Sequence, residues 1–155
     1  CRKREALGNA DVVHLACHGE FNERLPQFSR LYLTPELPDS DGKLEMHELY
    51  GLDWEGVSLV TLSACESGKG TLGGGQDLVG MVRGLMYAGA PSVVCSLWRV
   101  DDEATKELMT RFYENYLLGL SKPEALRQAQ LSLKQSVKYS HPNYWSAFVL
   151  YGDWQ

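Results

Sequence analysis

No apolar run in this chain approaches the roughly 18 residues that a membrane-crossing helix requires, so no helical span is expected. The first residues, Cys1-Arg2-Lys3-Arg4-Glu5, are charged and lack the apolar stretch of a secretory leader. An excess of base is missing too: the formal net charge is −5, which argues against nucleic acid as the main partner. None of the four cysteines forms a C-x-x-C pair, so the common zinc arrangement is excluded and no metal or cofactor is expected. Cys17 and Cys95 sit inside apolar runs and read as small core residues. With no disulfide framework implied, a reducing, cytoplasmic compartment is the expectation. There is no internal repeat and no low-complexity tail.

What is present fits one domain with a real core. The length is 155 residues and the hydrophobic content 44%, ordinary for a globular chain. Three short apolar runs read as buried strands: Asp11 to Cys17, Val57 to Ser63 and Ser92 to Leu97. Ser29 to Thr34 alternates, with Leu31 and Leu33 on one face, and reads as an exposed or edge strand. Lys43 to Leu52 reads as a short strand and then a helical turn. Leu78, Val79, Val82, Leu85 and Met86 recur at helical spacing between Asp77 and Tyr87, with Gly89 as the stop. Asp101-Asp102-Glu103 opens a helix to about Leu118, acids at its positive end. Pro123 begins another to about Tyr139, and Ala147 to Tyr151 is a last strand. Buried runs alternating with amphipathic helices predict an α/β domain with a mostly parallel sheet.

In such sheets, sites form at the carboxyl ends of strands. His18-Gly19 follows the first apolar run, and Ala64-Cys65 follows the second. A thiol is a strong nucleophile as thiolate, and a nearby imidazole helps to generate it. If the two runs are adjacent parallel strands, His18 and Cys65 share one rim. The backbone N–H groups at Gly19 and Cys65 would then supply an oxyanion hole. Taken singly, each residue has a plainer reading: a core cysteine, and a turn with a satisfied imidazole. His14 lies within the first apolar run and reads as interior; His47 and His141 read as surface. The glycine-rich stretch from Glu66 to Gly75 lacks the Lys-Ser/Thr of a phosphate loop and reads as a substrate-side loop.

Five phrases recur in one order: His14-Leu-Ala-Cys-His-Gly19, Leu62-Ser-Ala-Cys-Glu-Ser-Gly68, Gly84-Leu-Met-Tyr-Ala-Gly-Ala90, Ser96-Leu-Trp-Arg-Val-Asp-Asp-Glu-Ala-Thr105 and Tyr144-Trp-Ser-Ala-Phe-Val-Leu-Tyr-Gly-Asp153. They resemble the CHAT domain, a mostly bacterial branch of the caspase–gingipain–separase group of cysteine peptidases, often attached to TPR repeats. The resemblance covers nearly the whole chain. It implies a caspase-like three-layer α/β/α sandwich, spanning residues 1–155 as a C-terminal piece without the first strands. It also implies a cysteine endopeptidase acting on a protein or peptide substrate, with His18 as base and Cys65 as nucleophile, regulated by upstream TPR repeats or a regulatory protein. Neither nucleic acid nor membrane is an expected partner. By the same resemblance Ser63, Asp101 and Asp102 line the specificity pocket, although the two acids also suit a helix N-terminus. Trp98 reads as pocket wall or as core. The rival of a different class is a catalytically inactive interaction or signalling scaffold on the same fold.

Overall fold

The computed structural model describes residues 10–20, 25, 28–36, 38, 40–52, 54, 56–63, 65–66 and 74–155, with backbone only for 65, 66 and 74–78. The main sheet has four strands, β1 (Val12–Leu15), β5 (Leu59–Leu62), β7 (Ser92–Ser96) and β8 (Phe148–Gly152), in the order β1-β5-β7-β8. The first three are parallel and β8 is antiparallel. Strands β5 and β7 are buried at every residue, as an interior strand covered on both faces must be.

Alternation along these strands divides the apolar side chains between two cores. Val13, Val60, Leu62, Val93 and Cys95 pack with Met81, Val82 and Leu85 of a helix over Gly74–Tyr87. Leu59, Val94 and Phe148 pack on the other face with Leu108, Phe112, Ala129 and Leu133. Those last four belong to helices over Asp102–Leu117 and Lys122–Gln135. With a first short helix at Met46–Leu49, the three are α2, α3 and α4, and Pro142–Trp145 is α5. One helix on one face and two on the other make three layers, the expected sandwich. Fully burying each Leu, Val or Phe side chain stabilises the fold by about 1.5–3 kcal/mol.

A second four-stranded sheet goes beyond the sequence expectation. Its order is β4 (Lys43–Glu45), β3 (Arg30–Tyr32), β2 (His18–Glu20), β6 (Cys65–Glu66). The strand expected to be exposed or at an edge, β3, is an inner strand, bonded to β2 and β4; Leu31 is buried, whereas Tyr32 and the following Leu33 are exposed. The predicted helix starting at Asp77 begins at Gly74, and the helix expected to run to Tyr139 stops at Gln135. Residues 67–73 of the glycine-rich loop lie outside the described residues.

Gly152 closes β8 at φ 93°, and a Cβ there would stand 2.2 Å from the Pro91 carbonyl oxygen. That oxygen also accepts from the Asp153 N–H at 2.8 Å, so it has little room to shift. Gly152→Ala is expected to cost about 2–3 kcal/mol from the left-handed backbone and the clash together. Urea unfolding measures this; a change under 0.5 kcal/mol would contradict the close approach.

Candidate active site

The two sheets meet where β1 runs on into β2 and β5 into β6. The pairing offset does not change across the junction. Val12 pairs with Leu59 and Leu15 with Leu62 in the main sheet; His18 pairs with Cys65 and Gly19 with Glu66 in the small one. Between them the Ser63 N–H donates to the Leu15 carbonyl at 3.0 Å. Neighbouring strands lie about 4.8 Å apart. His18 and Cys65 are therefore backbone neighbours, held by the register of the apolar strands beneath. His18 lies just past the end of β1, as the sequence implied, and opens a short strand of its own.

Beside this junction lies a cavity of about 630 Å³, within the usual size of a small-ligand site. His18, Cys17 and Ser63 wall it on the sheet side, and Asp102, Thr105 and Lys106 on the α3 side. Of the predicted pocket residues, Ser63 and Asp102 are in this wall. Asp101 instead caps α3, its Oδ1 accepting from the Ala104 N–H at 3.0 Å. Trp98 is neither core nor cavity wall: it is 39% exposed, and its Nε1 donates to the Asn143 carbonyl at 3.1 Å. Cys17, predicted to be core, is half-buried in the cavity wall, and burial pushes its thiol pKa up. Cys95 is core as expected, its pKa pushed up to about 12 by burial.

Tyr32, which sequence reasoning passed over, is the cross-strand partner of His18 and also walls the cavity. Its hydroxyl donates to Glu20. This bond, aided by the charge of Arg30, holds the Glu20 carboxyl below the usual range.

His14, expected in the interior, opens on the cavity instead. Its Nε2 lies 3.2 Å from Ser63 Oγ and its Nδ1 3.1 Å from the Tyr113 hydroxyl. Tyr113 donates on to Thr61 Oγ1 at 2.8 Å. Desolvation lowers the His14 pKa below its ordinary value. Desolvation raises that of Tyr113, opposed by its bond to Thr61. A helical stripe on α3, Asp102-Lys106-Met109-Tyr113 at i, i+4, i+7 and i+11, was the available signal for Lys106 and Tyr113.

Three layers around a mostly parallel sheet, with His and Cys in register at its rim, define a caspase-like α/β fold. The CHAT domain model matches residues 3–153, and the chain belongs to the CHAT domain family. It is 34% identical over 97 residues to Tetratricopeptide repeat protein 28 of Mus musculus and 36% identical over 97 residues to its Homo sapiens counterpart. Each match covers 63% of this chain but 4% of the relative's length. The family thus includes chains joined to tetratricopeptide repeats.

Proposed function

We propose that this domain is a cysteine endopeptidase, cleaving a protein substrate through His18 and Cys65. The observation that carries the reading is the register pairing of these two residues beside a cavity of substrate size. In this mechanism His18 takes the Cys65 proton and the thiolate attacks the peptide carbonyl. Collapse expels the amine, which leaves with the proton from His18. Water, deprotonated by His18, then hydrolyses the acyl-enzyme and restores the thiol. Ser63 and Asp102 contact the substrate side chain, and Asp102 favours a cationic one through a charge-assisted bond. The tetratricopeptide relatives support a regulated setting, with an upstream repeat array or regulatory protein as the gate. The compartment proposed is the cytoplasm, which keeps the thiol reduced.

Alkylation tests the dyad without knowledge of the substrate. Iodoacetamide near pH 7 is expected to label Cys65 faster than Cys1, Cys17 or Cys95, with a rate that rises with pH as the thiolate forms. Desolvation raises the pKa of both Cys17 and Cys95, so both should lag. His18→Ala should reduce the Cys65 rate to that of an ordinary cysteine. Equal rates at Cys65 and Cys1 would favour the scaffold instead.

A further inference from the structure

The cavity holds a second arrangement that the dyad does not use. Ser63, His14, Tyr113 and Thr61 form one hydrogen-bonded chain from the cavity wall into the sheet. His14 and Thr61 are register partners on β1 and β5, and Tyr113 comes from α3 above them. Thr61 is fully buried, while Ser63 and His14 face the cavity.

Counting protons along this chain fixes its polarity. A tyrosine hydroxyl carries one proton, and Tyr113 gives it to Thr61. Toward His14 the Tyr113 oxygen then only accepts, so Nδ1 must carry the imidazole proton. A neutral imidazole has one N–H, which leaves Nε2 with its lone pair, accepting from the Ser63 hydroxyl. Ser63 thereby points its proton inward and presents only lone pairs to the cavity. Partial burial lowers the His14 pKa, which favours the neutral ring this order requires.

We propose that His14, held in its Nδ1–H tautomer by Tyr113, is a positioning residue that makes Ser63 a hydrogen-bond acceptor in the cavity, so that the site selects a substrate side chain that donates, such as lysine, over one that accepts, such as glutamate. The role of the cavity as the substrate site rests on the peptidase reading; the tautomer does not. The charged neighbours Asp102 and Lys106 on the same wall also act on such ligands. Their effect is the same in the wild type and in a Tyr113 variant, so a change in preference isolates the hydroxyl.

The test has two arms. Long-range proton–nitrogen NMR of the wild-type protein is expected to show His14 protonated at Nδ1, and Tyr113→Phe should move the proton to Nε2. Nε2 then donates to Ser63, whose own proton turns into the cavity. In a Cys65→Ala background, binding of two fluorescent peptides differing only in a central lysine or glutamate is compared. The lysine-to-glutamate affinity ratio is expected to fall about tenfold in Tyr113→Phe. An Nε2–H ring in the wild type overturns the proposal, and this reading needs no variant. So does an unchanged ratio in Tyr113→Phe, or binding of neither peptide. Failure of the peptidase reading looks different: undiminished cleavage without the Cys65 sulfur, with the tautomer and the ratio still readable.

Discussion

Replacing Cys65 by alanine in the full-length protein, assayed with its native activator, is expected to lower peptide cleavage by about 10⁵-fold or more. The nucleophile is the one group whose loss no neighbour can replace: alanine has no lone pair to form the acyl-enzyme. His18→Ala should fall by a similar order, because the thiol stays protonated without its base. The double variant should be little worse than either single one, since the two groups act as one unit. Additive losses would mean that the residues work separately, and undiminished cleavage by Cys65→Ala would remove the proposed chemistry outright. The prediction is sharp because the pairing has a mechanical cause. His18 and Cys65 stand at the same 47-residue offset as Val12 and Leu59. A one-residue slip would turn every buried side chain of β5 to the opposite face. The core therefore fixes the spacing of the pair before any substrate arrives.

That cause explains what could be read in advance. Leu59–Leu62 and Ser92–Ser96 are covered on both faces, so they appear as short runs in which apolar residues predominate. The helices show because one stripe of each faces a core. The small sheet did not show, because strands of two or three residues, such as β2 and β6, are too short to display a period. Their pairing is inherited from the longer strands below. The cavity-facing position of His14 is hidden in the sequence for a related reason. Its apolar neighbours Val13 and Leu15 face the α2 core, whereas alternation turns His14 to the α3 face, where Tyr113 and the cavity lie. A run that looks uniformly apolar hides which of its faces ends at a site. Asp101 and Asp102 show the opposite limit. Both suited a cap and a pocket, and side-chain placement divided the roles, with Asp101 on the Ala104 N–H and Asp102 in the cavity wall.

Phe112→Ala is expected to destabilise the fold by about 3–5 kcal/mol, the usual cost of deleting a buried phenyl ring and leaving a cavity. Phe112 is fully buried, in the core formed by Leu59, Val94, Leu108 and Phe148. Its ring stacks on Tyr116 with centroids 6.3 Å apart and lies 5.1 Å from that of Tyr113. Against a total stability of about 5–15 kcal/mol, the loss should lower Tm by about 10 °C or more. Leu117 supplies the internal comparison, lying on the same helix at 85% exposure. Leu117→Ala should change stability by no more than about 0.5 kcal/mol. Thermal and urea unfolding of the two variants separate burial from helix propensity, because alanine favours a helix at both positions. Equal effects would mean that α3 does not seat on the sheet through Phe112. The same seating holds the neighbouring Tyr113 over His14 and Thr61, so the Phe112 variant should also loosen the His14 tautomer while Leu117→Ala leaves it intact. Stability and cavity polarity are thus set by adjacent residues of one helix, Phe112 inward to the core and Tyr113 toward the cavity wall.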